Sequence, residues 1–146
     1  MTRRFARELA LQTLYSVEVG HHDPAAALAQ TVGEGHDAAG QRAFVKELVF
    51  GTLEHAEQSD ALIAPLLEGW TLDRLPTVDR IVLRMSVYEL NHQRQTPQAV
   101  VINEALELVK KFSTDDSSRF VNGVLAHASG LRIRPEGESR PKGAAF

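Results

Sequence analysis

Arg3, Arg4 and Arg7 lie close together near the N-terminus, and Tyr15 follows two helical turns after Arg7. If this segment is helical, Arg4, Arg7, Leu11 and Tyr15 form one stripe. The chemistry such a stripe can do is non-covalent. Guanidinium groups follow a phosphate backbone, and an aromatic ring stacks on an unpaired base. The same pattern also describes a solvated helix start with a half-buried tyrosine, so spacing alone leaves both readings open. A second pair, Arg80 and Arg84, stands at i,i+4 in an otherwise apolar stretch. It either extends a cationic track or pairs with Asp79, Glu89 or the acids of a neighbouring helix. Phe120 has the periodicity of a core residue with room for an exposed stacking edge. Asp115 and Asp116 suit a helix N-terminus, where acids oppose the macrodipole.

Covalent and metal chemistry is poorly provided for. The chain has no cysteine, which excludes disulfides, thiolate nucleophiles and the common structural zinc sites. His21, His22 and His36 with Asp23 and Asp37 show no HExxH or comparable helical spacing, and read as loop residues. There is no glycine-rich phosphate loop and no G-x-S-x-G elbow. Neither an enzyme nor a cofactor is expected.

The elements that must position these residues are helical. At 146 residues with 43% apolar and 24% charged side chains, the chain suits one globular domain with a real core. No apolar run approaches the length needed to span a bilayer, and charges interrupt the N-terminus, so a cytoplasmic protein without membrane contact is expected. The net charge of −3 argues against a nucleic-acid binder at first sight. Its distribution changes that reading: in residues 21–70 only Arg42 and Lys46 face eight acids, whereas the flanking regions are mildly basic.

Thr2 caps a first helix to about Val19, closed by Gly20. Asp23 and Pro24 open a second that ends at Gly33 to Gly35. Asp37 opens a longer helical region that bends near Ser59. Pro76 and Thr77 start a helix ending near Leu90 with apolar residues on two sides, hence central and buried. Pro97 starts the next, where Glu107 and Lys111 form an i,i+4 pair. The last begins around Asp115 to Ser117 and ends near Gly130. Mid-helix Gly123 suggests close approach of another helix. The Pro-, Gly- and charge-rich residues 132–146 read as a disordered tail beyond a single domain of residues 1–131.

Three blocks, RRFARELALQTLY (3–15), VDRIVLRMSVYEL (78–90) and the pair INEALELVKKF (102–112) with DDSSRFVNGVL (115–125), together resemble the NusB family. The resemblance implies an all-α compact bundle of about seven helices in two packed halves, with no active site. It further implies a transcription antitermination factor that binds boxA, a short single-stranded element of nascent transcripts. Its partner would be NusE, the form in which a small-subunit ribosomal protein joins the antitermination complex with RNA polymerase, and its role could extend to ribosomal RNA synthesis. Residue by residue, the family's RNA-binding positions fall on Arg3, Arg4, Arg7, Gln12, Tyr15, Arg80, Arg84, Asp116 and Phe120, with Asp116 an electrostatic restraint. A partner-protein contact falls on Asp79. Phe5 departs from the pattern, standing where relatives often carry another Arg.

Two rival readings remain. One is the RNA-binding domain of an enzyme, because the fold also resembles the N-terminal part of certain ribosomal RNA methyltransferases. Such an enzyme needs a second domain, and the chain is expected to be complete at Phe146 without one. The other is a protein-interaction module, such as a homodimer, without direct RNA contact.

Overall fold

The computed structural model describes residues 2–33 and 40–133. Among these residues there are seven α-helices and no strands. The helices are α1 (Arg3–Gly20), α2 (Pro24–Val32), α3 (Gln41–Glu54), α4 (Ala56–Ile63), α5 (Thr77–His92), α6 (Gln98–Phe112) and α7 (Asp115–Leu125). Short 3-10 segments at Ala64–Leu66, Leu72–Arg74 and Ala128–Leu131 fill the connections.

Three helix starts carry side-chain caps, Thr2 and Asp23 as the sequence implies and Thr114 just before the start expected around Asp115 to Ser117. The side chains of Thr2, Asp23 and Thr114 accept hydrogen bonds from the backbone N–H groups of Phe5, Ala26 and Ser117 at 3.0, 3.1 and 3.0 Å. Each such cap is worth about 1 kcal/mol. Two boundaries differ from expectation. Gly20 does not close α1 but stays within it, and His21 takes the left-handed conformation instead (φ 54°), donating its N–H to Ser16. Histidine is one of the few residues besides glycine that enters this region with any frequency. The bend expected near Ser59 falls at His55, where α3 ends and α4 begins. Asp37, expected to open α3, lies outside the described residues.

The apolar two-sided pattern of α5 has the predicted result. Ile81, Val82, Leu83, Met85, Val87 and Leu90 are all buried. α5 touches α1, α3, α4, α6 and α7, so the two halves of the bundle meet on it. Where α3 crosses α5, Gly51 makes room for the Tyr88 ring: a Cβ at Gly51 would lie 2.1 Å from Tyr88 Cζ. Tyr88 in turn stacks on His92 (centroids 4.9 Å), which stacks on His55 (4.1 Å). Gly123, by contrast, faces open space, and the close helix approach expected there is absent.

The ordered domain reaches further than Leu131. Asn91 of α5 donates to Leu131 O at 2.8 Å and accepts from Ile133 N–H at 2.6 Å, while Arg94 donates to Ile133 O at 2.9 Å. Arg132 and Ile133 therefore belong to the bundle rather than to the tail expected from residue 132. The rest of that tail lies outside the described residues.

Two outcomes follow from the ring stack. Gly51→Ala should lower stability by about 1–3 kcal/mol through overpacking against Tyr88, measured by urea unfolding. Burial, then the neighbouring His55 and Arg94, holds the His92 pKa below its ordinary value. The unfolded chain therefore binds a proton at His92 more readily than the folded one, so this contribution is complete above about pH 6.5 and is lost as pH falls below it. Urea midpoints at pH 7.5 and 5.5 should differ more in the wild type than in His92→Asn.

Candidate nucleic-acid interface

The arginine run does not stay together. Arg3 lies on the α3 side with its guanidinium 3.9 Å from the centre of the Phe44 ring. Arg4 is turned the other way and donates from Nε and Nη2 to both carboxylate oxygens of Glu104 on α6, at 3.0 and 3.1 Å. Arg7 leaves the surface. It is only 5% exposed and donates to both carboxylate oxygens of Glu89, itself buried on α5, with the Nε contact at 3.0 Å. Three residues along a helix amount to a rotation of about 60° away from Arg4, enough to carry Arg7 from the flank into the core. The expectation that Arg7 presents its charge to phosphate is corrected accordingly: its donors are committed to Glu89. Leu11, from the same stripe, is buried as well.

What remains exposed on that flank of α1 faces α6. Arg4 reaches Glu104, and Lys111 at the other end of α6 reaches back to Glu8 at 2.9 and 3.1 Å. The two helices therefore run in the same direction, cross-linked by two ion pairs. Beyond the second pair the seam opens into a groove of about 410 Å³ lined by Leu11, Gln12, Tyr15, Val78 and Phe112. Tyr15 is 43% exposed and Gln12 is exposed. The furrow thus offers cations at one end, then an aromatic and an amide at the other. That combination suits a backbone phosphate and an unstacked base.

α7 follows directly. Only Ser113 and Thr114 separate Phe112 from Asp115, and the Ser113 and Ser117 hydroxyls lie 3.0 Å apart across this corner. Asp116 is fully at the surface and pairs with Arg119 one turn on. Phe120 is half-buried against the core, the intermediate position its pattern allowed.

Three other expected site residues are placed elsewhere. Arg80 is mostly enclosed, paired with Glu18 of α1 and donating to the carbonyls of Leu72 and Leu75 at 3.1 and 3.3 Å. Arg84 makes a two-pronged pair with Asp60 of α4 at 2.7 and 2.8 Å. Both are tied to acids of neighbouring helices, the alternative their spacing left open, and they brace α5 rather than lengthen a cationic track. Asp79, expected to touch a partner protein, is buried in the first turn of α5 with its Oδ1 lacking a hydrogen-bond partner. The positive end of the helix stabilises a carboxylate there, and its burial withholds it from a surface contact.

Sequence reasoning missed the α6 contribution. Spacing marks Lys111 as the partner of Glu107 and gives Glu104 and Phe112 no part in a site. In the structure Lys111 pairs with Glu8, about a hundred residues away in sequence. Among the described residues no cluster of His, Asp or Glu could hold a metal ion, and no helix is long and apolar enough to cross a membrane. His36 and Asp37 of the histidine-rich loops lie outside the described residues.

The class of fold is an all-helical bundle with an ion-paired furrow along one seam. Comparison with known proteins makes the class specific. The model of the NusB family matches residues 4–129. The transcription antitermination protein NusB of Desulforamulus reducens is 44% identical over 125 residues, covering 86% of this chain and 87% of that protein. Its counterpart from Symbiobacterium thermophilum is 47% identical over 133 residues, with the same coverage. Among solved structures, T. maritima NusB superposes with a TM-score of 0.81 at 34% identity, over 87% of this chain and 89% of that one. A crystal structure of antitermination factors NusB and NusE in complex with dsRNA gives a TM-score of 0.78 at 30% identity, over 86% and 93%. The chain belongs to the NusB family, and with it to the transcription antitermination factors, which are not enzymes.

The two arginine environments predict different costs. Arg7→Ala leaves Glu89 buried and unpaired and should destabilise by about 3–5 kcal/mol. Arg4→Ala breaks a surface pair and should cost less than about 1 kcal/mol. Urea unfolding of the two variants side by side checks the contrast, and equal costs would remove Arg7 from its structural role.

Proposed function

We propose that this protein binds boxA-like single-stranded RNA along the α1–α6 furrow, together with NusE, as part of an antitermination complex with RNA polymerase in the cytoplasm. That role extends to transcription of ribosomal RNA. The observation that carries the reading is the order of groups in the furrow: Arg4 and Lys111, then Gln12, Tyr15 and Phe112 around one groove. The structural neighbour crystallised with NusE and RNA supports the partners. Arg3 adds a further exposed cation at the helix start. Asp116, at the α7 corner, opposes the strand and limits its affinity.

Few exposed cations imply a shallow salt dependence. With two to three phosphates neutralised, the log–log slope of affinity against salt should be about −1.4 to −2.1 for a single strand. Fluorescence anisotropy with a labelled boxA-like RNA, in a salt series with and without NusE, measures it. NusE should tighten binding throughout. Tyr15→Ala should cost about 1–3 kcal/mol of affinity if a base stacks there. A flat salt dependence, or full affinity in a folded Tyr15→Ala variant, would move the RNA away from the furrow.

A further inference from the structure

The two ion pairs across the furrow share an unusual layering. The Arg4 side chain is 55% exposed and its partner Glu104 only 14%; Lys111 is 59% exposed and its partner Glu8 only 13%. In each case the cation lies outside and the carboxylate beneath it. Both oxygens of each acid are engaged, by two guanidinium nitrogens in one case and by a single ammonium in the other. The field at Arg4 is dominated by negative charge: Glu104, then Glu107 and Glu8, raise its pKa. Three carboxylates thus act on Arg4 and one is paired with Lys111, the two cations on which a phosphate track here would depend, so neither cation's charge is left unanswered.

A phosphate approaching Arg4 or Lys111 therefore meets a cation whose charge is already answered from behind. Glu104 and Glu8 are mostly covered, so they have less freedom to swing away than the acids of an exposed pair. Resting on the RNA reading above, we infer that Glu104 and Glu8 are affinity-setting residues of this furrow, which hold RNA binding below what Arg4 and Lys111 would otherwise support. The furrow then retains a strand only when contacts beyond it, from a base in the Tyr15 groove or from a partner protein, contribute as well.

The test uses Glu104→Gln and Glu8→Gln in the full chain. Glutamine keeps the size of the side chain and one oxygen to accept from Arg4 or Lys111, while its NH2 replaces the second accepting oxygen, so one contact is retained and the charge goes. Glu57→Gln, an exposed acid on α4, makes the same change in net charge away from the furrow. Binding of a labelled boxA-like single strand is measured by anisotropy at low and high salt, with thermal unfolding to verify the fold. Each furrow variant should bind about three- to tenfold more tightly than wild type at low salt, with the gain fading as salt screens it. Glu57→Gln should change little. Unchanged or weaker binding by both furrow variants, in a wild type that does bind, overturns this inference and leaves the RNA reading standing, as does an equal gain from Glu57→Gln. No binding by wild type at low salt overturns the RNA reading and this inference together.

Discussion

Arg7 and Glu89 bring opposite charges into a part of the molecule where neither is tolerated alone. Taking one such ion out of water costs several kcal/mol, which is recovered only when the partner is present in good hydrogen-bonding geometry. Here the geometry is two-pronged and joins α1 to α5, the helix on which both halves of the bundle pack. An apolar pair in the same place would bind the helices as well but would accept many rotations of α1. The ion pair accepts one. With Arg7 fixed inward, Arg3 must lie over Phe44 and Arg4 must turn toward α6, and the same rotation places Gln12 and Tyr15 along the α6 side.

The furrow is therefore a by-product of how α1 is locked. α1 and α6 are joined at this seam by long side chains that reach across it. A gap between helices that is bridged by ions but not filled by apolar packing stays wet, and it can admit a polar polymer without breaking the core. The chemistry on offer is consistent with this: no nucleophile is activated there, and the aromatic surface stands beside an amide. Arg80 and Arg84 serve the same framework from other positions on α5. They tie it to α1 and α4, and Arg80 also satisfies two carbonyls before it, that of Leu72 in the 3-10 segment and that of Leu75 just after it.

The local features of this fold were legible in the sequence. Thr2 and Asp23 mark helix starts because capping is a contact over three residues, and the two-sided apolar pattern of α5 marks a central helix. The family blocks supplied the number of helices. What the sequence concealed depends on rotation and on distant partners. Arg4 and Arg7 look alike in a helical stripe, yet a turn of about 60° separates surface from core. Asp79, placed by resemblance on a partner surface, is buried. Lys111 sits four residues from Glu107, a sufficient partner by spacing, and nothing local reveals that Glu8 is nearer. His21 carries no signal that it, rather than Gly20, would take the left-handed turn.

The shared direction of α1 and α6 gives the furrow a ruler. Arg4 and Tyr15 are eleven residues apart on one unbroken helix, which at 1.5 Å per residue sets them about 16 Å apart along its axis. This spacing is a property of the helix backbone, not of flexible side chains, so it cannot adapt to what lies in the groove. A strand stacked at about 3.4 Å per nucleotide covers that length in about five nucleotides. For a strand lying in the furrow as proposed, Arg4 and Tyr15 would stand a fixed length apart, and a ligand shorter than that length could not reach both.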